Sequence, residues 1–231
     1  MNIIVNGGSR GIGREIVLHM AGDKDNQILV TGRNEKNLKE ITGSTKMGNV
    51  SSITMDLSAI ANDIKAIKDQ IYNRFSKVDI LINTAGNLVV KEFLNVPDRE
   101  AREMMESNFF GPATFIKLVV PLMCDGSHIV NISSMGGFQG SSKYRGLAYY
   151  SASKAAMACL TECLAEEFRE LGIRVNCLAL GSVQTEMFEK AFPGSKAPVS
   201  AKEIARFIAD FAVNGSKFFN GKILPAAVAN P

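Results

Sequence analysis

The sequence predicts a single α/β domain: a doubly wound, Rossmann-type fold with a mostly parallel seven-stranded sheet and helices on both faces. Three observations carry that expectation. Short β-branched strands alternate with amphipathic helical stretches along the whole 231-residue chain. The strands are apolar throughout rather than alternating, as strands buried on both faces must be. A glycine cluster sits where the first strand meets the first helix, where such folds bind nucleotides.

The elements follow in order. "NIIV" (2–5) is a β-branched run ending in glycines, and "IGREIVLHMA" is amphipathic. "QILVT" (27–31) reads as a second strand and "NEKNLKEI" as a helix with a polar face. Next come a strand near "SSITM", a helix over "ANDIKAIKDQIYNRF" and a strand "DILIN". A long helix covers much of 99–123, and the strand "HIVNIS" follows it. Residues 149 to about 171 form a helix with Ala155, Leu160, Leu164 and Phe168 on its apolar stripe. "RVNCLAL" is a buried strand, "AKEIARFIADFA" a helix and "KILP" a last short strand. Long loops are expected at 136–146 and 192–200. No repeat, low-complexity tract or linker divides the chain, so residues 1–231 form one domain.

Composition narrows the function. Hydrophobic residues make up 46% and charged residues 21%, ordinary values for a globular domain that needs no staples. A formal net charge of +3 with no run of like charge excludes a nucleic-acid footprint. No apolar segment approaches the roughly 20 residues that span a bilayer, and "MNIIVNGG" lacks the basic start of a signal peptide. The four cysteines (Cys124, Cys159, Cys163, Cys177) show no CxxC spacing, and His19 and His128 are the only histidines. No metal is expected, Cys159 and Cys163 read as packed small thiols sharing a helix face, and a reduced, cytoplasmic protein fits best.

The turn "NGGSRGIG" (6–13) spaces its glycines as Gly7, Gly11 and Gly13, not as GxGxxG. At the first strand-to-helix turn such glycines let a pyrophosphate approach the backbone and the helix N-terminus. NAD-binding chains usually place an acid about 20 positions further on, for the ribose 2′-hydroxyl. Here the second strand ends in Gly32, Arg33 and Asn34. An arginine there favours a 2′-phosphate, and Arg10 could add a second positive charge, so NADP (NADPH) is favoured over NAD. Glu35 lies near enough to keep NAD open.

In "YYSASK" (149–154), Tyr150 and Lys154 are four apart and share a helix face, whereas Tyr149 has a serine at that distance. A free tyrosine, with a pKa near 10, exchanges protons poorly at neutral pH. A neighbouring ammonium would stabilise its phenolate and suit it to proton transfer with a substrate oxygen.

Taken in order, "NGGSRGIG", "NTAG" (83–86), "NISS" (131–134), "YSASK" (150–154) and "RVNCLALGSVQT" (174–185) resemble the short-chain dehydrogenases/reductases over nearly the whole chain. In general appearance the chain is similar to 3-oxoacyl-carrier-protein reductases. The resemblance implies an NADPH-dependent carbonyl reductase, reversible as an alcohol dehydrogenase, acting on a small-molecule carbonyl or alcohol substrate. It implies Tyr150 as general acid in reduction, with Lys154 lowering its pKa and binding the nicotinamide ribose. Ser134, immediately before "MGG" and in preference to Ser133, would hydrogen-bond the substrate carbonyl, and Asn108 would support a water-linked proton relay. Cofactor contacts implied are Gly7, Ser9, Arg10, Gly11, Ile12 and Gly13, then Arg33, Asp56 and Leu57. Asn83, Ala85, Gly86, Tyr150, Lys154, Val183 and Thr185 complete them. A substrate lid near 185–200 and a homodimer or homotetramer are also implied.

Some positions depart from the family pattern. Asn6 replaces a threonine, Thr84 a second asparagine, and Leu180 a proline, which implies a looser turn before Gly181. The ending "GKILPAAVANP" lacks the "VDGG"-like sequence on which the common tetramer is built. Met187, Phe188 and Phe192 could form an apolar lid or simply pack a helix. Lys143 and Arg145 could greet an acidic substrate or carrier or be solvated. A cofactor-binding sensor or scaffold of the same fold would be favoured by loss of Tyr150 or Lys154, and both are present. A methyltransferase would need neither YxxxK nor the second serine.

Overall fold

The computed structural model describes residues 1–228. β1 (Asn2–Asn6) is buried from its second residue onward and leads through the glycine turn into α1 (Gly11–Met20). β2 (Gln27–Gly32), α2 (Glu35–Ser44) and β3 (Val50–Thr54) follow, then α3 (Ile60–Arg74) and the fully buried β4 (Ile80–Asn83). α4 (Asp98–Met105) and α5 (Gly111–Val119) precede β5 (His128–Ser134). α6 (Ala148–Glu167) then leads to β6 (Arg174–Leu180). β7 (Val183–Gln184), α7 (Glu186–Ala191) and β8 (Val199–Ser200) form an excursion before α8 (Ala201–Asn214) and β9 (Ile223–Ala226).

Seven strands form one sheet in the order β3-β2-β1-β4-β5-β6-β9, every pairing parallel. Successive strand side chains point to opposite faces, and here both faces are dry. Ile3, Val5, Ile28, Val30, Ile80 and Ile82 join Ile16, Val17, Leu38 and Ile208 on the side of α1, α2 and α8. Ile4, Leu29, Leu81 and Ile129 join Ile67, Ile71, Phe115 and Ile116 on the side of α3 and α5. This explains the unbroken apolar strands read from the sequence.

Four local features differ from the sequence reading. The helix expected over 99–123 is interrupted by a π-helical turn at Glu106–Phe110, which separates α4 from α5 and buries Asn108. α6 ends at Glu167, and its buried face is Ser153, Lys154, Met157, Ala158, Thr161 and Ala165. The expected stripe is off by a step: Ala155 is exposed and Leu160, Leu164 and Phe168 are only half-buried. Cys159 and Cys163 consequently face outward, not into the core. Leu180 does not loosen its turn: it is buried and pairs with Ser134 on one side and Ala226 on the other.

Among the described residues no helix is long and apolar enough to cross a membrane. No group of three His, Cys, Asp or Glu among them could hold a metal ion.

Candidate active site

Strand order reverses between β1 and β4, and a cleft of about 480 Å3 opens at the carboxyl ends of the central strands. Gly7 forms the turn with φ +88°, and a Cβ there would lie 2.4 Å from the Ala85 nitrogen. A Cβ on Gly13 would lie 2.5 Å from both the Gly7 carbonyl and Thr84 Oγ1. The glycine turn therefore packs directly on the "NTAG" segment, and no side chain fits between them. Gly7 and Gly8 N–H both donate to the Thr31 carbonyl at 3.0 Å, fixing the turn to β2.

Arg10 is the N-cap residue of α1, but no side chain caps this helix and its first turn holds no acid. Gly11, Ile12 and Gly13 line the cleft, so the free N–H groups of the first turn and the positive end of the dipole open onto it. An anionic pyrophosphate fits this cradle. Arg10, Arg33 and Asp56 are exposed at the same end of the cleft. Neither arginine is ion-paired among the described residues. Asp56 accepts from the Ser58 N–H at 3.0 Å and its hydroxyl at 2.7 Å. Glu35 pairs with Lys39 at 2.7 Å and lies outside this cleft's lining. Ser9, Leu57, Ala85, Gly86, Val183 and Thr185 also line the cleft.

Tyr150 and Lys154 project from the first two turns of α6 into the same space. Lys154 Nζ donates to the Ile132 carbonyl at 3.0 Å and lies 6.0 Å from the Tyr150 ring centroid. Burial lowers the Lys154 pKa to about 8. Burial likewise pushes Tyr150 up, with a hydrogen bond to Ser134 pulling the other way. Burial and Ser134 are the two causes of this shift, while the Lys154 ammonium is turned to a main-chain carbonyl. Tyr150 stands as a neutral phenol, the form that gives up a proton. Tyr149 instead stacks on Phe93, with ring centroids 5.4 Å apart.

The two serines separate cleanly. Ser133 is buried and spends its hydroxyl on the Lys154 carbonyl at 2.7 Å. Ser134 Oγ accepts from the Gly136 N–H at 3.1 Å, which leaves its own hydrogen for the Tyr150 oxygen or for a substrate oxygen in the cleft.

Two residues expected at the site do not line the cleft. Asn108 is 1% exposed; its Oδ1 accepts from the Asn87 N–H at 2.6 Å, and its Nδ2 donates to the Asn87 carbonyl and Ser153 Oγ. A Cβ on Gly86 would lie 3.3 Å from both Asn108 Oδ1 and Lys154 Nζ, so Asn108 backs the site from behind that glycine. Asn83 lies beneath the cleft in a ladder of side-chain hydrogen bonds. Thr31 donates to Asn6 at 3.0 Å, Asn6 to Asn83 at 3.1 Å, and Asn83 to Asn131 at 2.9 Å. Asn131 then donates to Thr161 on α6 at 2.9 Å, and Thr161 to the Met157 carbonyl.

Sequence reasoning missed Leu88, Met135, Tyr144, Leu147 and Ser182 in the cleft lining. Tyr144 carried a signal, being an aromatic residue in a long loop beside the catalytic helix. Its neighbours Lys143 and Arg145 are locally engaged. Lys143 donates to the Phe138 carbonyl and Ser141 Oγ at 2.7 Å, and Arg145 pairs with Glu92 at 2.6 Å.

Comparison with known proteins agrees with this geometry. Residues 1–196 match the family described as short chain dehydrogenase. The chain is 35% identical over 204 residues to dehydrogenase/reductase SDR family member 7B of Danio rerio, covering 83% of this chain and 64% of that protein. It is 29% identical over 241 aligned positions to glucose and ribitol dehydrogenase of Daucus carota, covering 96% and 81%. A short chain dehydrogenase of Shigella flexneri, solved in complex with NADP, shares the fold with a TM-score of 0.88 at 24% identity, over 97% and 95% of the two chains. With its cleft, its glycine turn and its Tyr-Lys pair in these places, the chain belongs to the short-chain dehydrogenase/reductase family of oxidoreductases.

Proposed function

We propose that the protein is an NADPH-dependent carbonyl reductase, reversible as an alcohol dehydrogenase. The observation that carries this reading is that Tyr150, Ser134 and Lys154 line the same cleft as an uncapped helix N-terminus. A bound nicotinamide dinucleotide would supply the hydride. Tyr150 donates a proton to the substrate oxygen as negative charge develops on it, and Ser134 donates a hydrogen bond to the same atom. Lys154, held by the Ile132 carbonyl, keeps further N–H donors for a ribose hydroxyl. Asn108 holds Asn87 by two hydrogen bonds and so fixes the segment over which Gly86 passes.

The preference for NADPH rests on Arg10 and Arg33, two guanidinium groups in the cleft lining without an ion pair among the described residues, and on the engagement of Glu35 with Lys39. The NADP bound by the Shigella flexneri protein of the same fold supports it. Cysteines without CxxC spacing support a cytoplasmic setting. Self-association as a homodimer or homotetramer is supported by exposed Phe207, Phe218 and Phe219 beside the edge strand β9, and light scattering at rising concentration tests it.

Tyr150→Phe tests the chemistry. NADPH oxidation with a carbonyl substrate should fall by at least about a hundredfold, as loss of a general acid does, while NADPH affinity stays within about twofold. Turnover at wild-type rate in this variant would remove Tyr150 from the reaction.

A further inference from the structure

The substrate end of the cleft has two apolar walls that proton transfer alone does not require. One comes from the connection between β5 and α6: Met135 and Leu147 are buried, and Tyr144 lines the cleft with 52% of its surface open. The other is the lid, where Met187, Phe188 and Phe192 are half-buried and the two phenyl centroids lie 5.2 Å apart.

Both walls are held in shape. At the base of the lid β7 pairs with β8, through Val183 with Val199 and Gln184 with Ser200. Thr185 Oγ1 accepts from the Phe188 N–H at 3.1 Å and caps α7, and Gln184 Oε1 accepts from the Ala197 N–H at 2.8 Å. Across the cleft mouth, the Lys91 N–H donates to the Gly146 carbonyl at 3.0 Å, and Arg145 is paired with Glu92. A preformed apolar slot loses little entropy on binding and discriminates by what it leaves unpaired.

Charge and hydrogen-bonding capacity then select among carbonyl compounds. Lys143 is occupied by oxygens of its own loop and Arg145 by the Glu92 carboxylate, and the one charged lid side chain lining the cleft is the carboxylate of Glu186. An anionic substrate would meet repulsion there. A sugar or polyol carries hydroxyls that must each find a partner, and Met135, Leu147, Met187, Phe188 and Phe192 offer only carbon and sulfur.

We propose that the substrate is an uncharged carbonyl compound with an apolar alkyl or aryl group on the carbonyl carbon, selected by Tyr144 and Phe192. The inference rests on the reductase reading above. Each methylene buried between the walls should raise kcat/KM about fourfold, the equivalent of about 0.8 kcal/mol.

The test is NADPH-driven reduction of straight-chain methyl ketones of increasing length, phenyl ketones and open-chain ketoses. It is run on the wild type, Tyr150→Phe, Phe192→Ala and Tyr144→Ser, with NADPH binding as a check of folding. The expected result is a rise of about fourfold per methylene over the first few homologues, with ketoses at least about a hundredfold poorer. In Phe192→Ala and Tyr144→Ser the slope should drop to about twofold per methylene or less, because part of the slot is then water. Tyr150-dependent turnover that ignores chain length, or that favours ketoses, overturns this inference and leaves the reductase reading standing. So does an unchanged slope in both wall variants. No Tyr150-dependent turnover of any compound overturns both.

Discussion

His128 gives a quantitative prediction about acid stability. It opens β5, is 1% exposed, and packs against Phe211 of α8 with ring centroids 5.6 Å apart. Its Nδ1 lies 2.9 Å from the Ala212 carbonyl, which can only accept, so Nδ1 carries the proton. Its Nε2 lies 3.0 Å from Asn176 Nδ2 and must accept. Asn176 cannot turn over to help a protonated ring. Its Nδ2 also donates to the Phe219 carbonyl at 2.9 Å, and its Oδ1 accepts from the Lys222 N–H at 3.1 Å. A second proton on His128 would therefore set two donors against each other in a dry site.

Burial accordingly lowers the His128 pKa from an ordinary 6.5 to about 4, against a weaker opposing pull from the Ala212 carbonyl. A folded-state pKa below the unfolded one means that the unfolded chain binds the proton first. The stabilisation is fully present above pH 6.5 and is lost as pH falls towards 4. The whole gap is worth about 3 kcal/mol, of which about 2 kcal/mol is gone by about pH 5. The assay is urea unfolding of the wild type and His128→Gln at about pH 7.5 and about pH 5. The other histidine, His19, is exposed and present in both proteins, so it cancels in the comparison. The stability advantage of the wild type should shrink by about 2 kcal/mol at the lower pH. An advantage that stays constant across that range refutes the buried neutral imidazole.

Two further substitutions probe the cofactor end and the sheet. Arg33→Ala should weaken NADPH by about tenfold to a hundredfold and NADH by far less, measured by fluorescence titration. Equal loss for both would sink the assignment of a 2′-phosphate to this arginine. Asn131→Leu strands the Asn83 amide donor and removes the donor to Thr161 Oγ1, so urea unfolding should show a loss of about 2–5 kcal/mol. A loss below about 1 kcal/mol would mean that water or a rearranged amide replaces the ladder.

Much of this molecule was legible because its signals are local. The sheet could be read from strands that are apolar on both sides, and the cofactor end from glycines at a strand-to-helix turn. Tyr150, Lys154 and Ser134 were legible from spacing and from resemblance. What escaped has non-local causes. On α6 the reading followed the leucines, but the buried face runs through Lys154, Met157 and Thr161, two of them polar. Their burial depends on partners in β5, at Ile132 and Asn131, and helical periodicity does not show those partners. Cys159 and Cys163 were misplaced for the same reason. Asn83 was expected against the cofactor, but its place in the ladder depends on Asn6 and Asn131 lying opposite it in register, which is settled only when the strands pair. Tyr144 lines the cleft because the loop carrying it is tied to the segment around Lys91 and Glu92, far off in sequence.

The ladder from Thr31 to Met157 has one more property: every donor in it points the same way, from β2 towards α6. Turning Asn83 would put donor against donor on one side and acceptor against acceptor on the other, and turning Asn6 or Asn131 would create one of these two clashes. The five bonds thus share one orientation, and each is meaningful only if its neighbours are right. A strand docked out of order would interrupt the run and leave a buried amide without a partner, so the row acts as an internal check on assembly. It also shapes how the sequence can drift. Surface positions can change one at a time, whereas these residues must change together or keep their hydrogen-bonding character, as Asn6 does in place of the family's threonine.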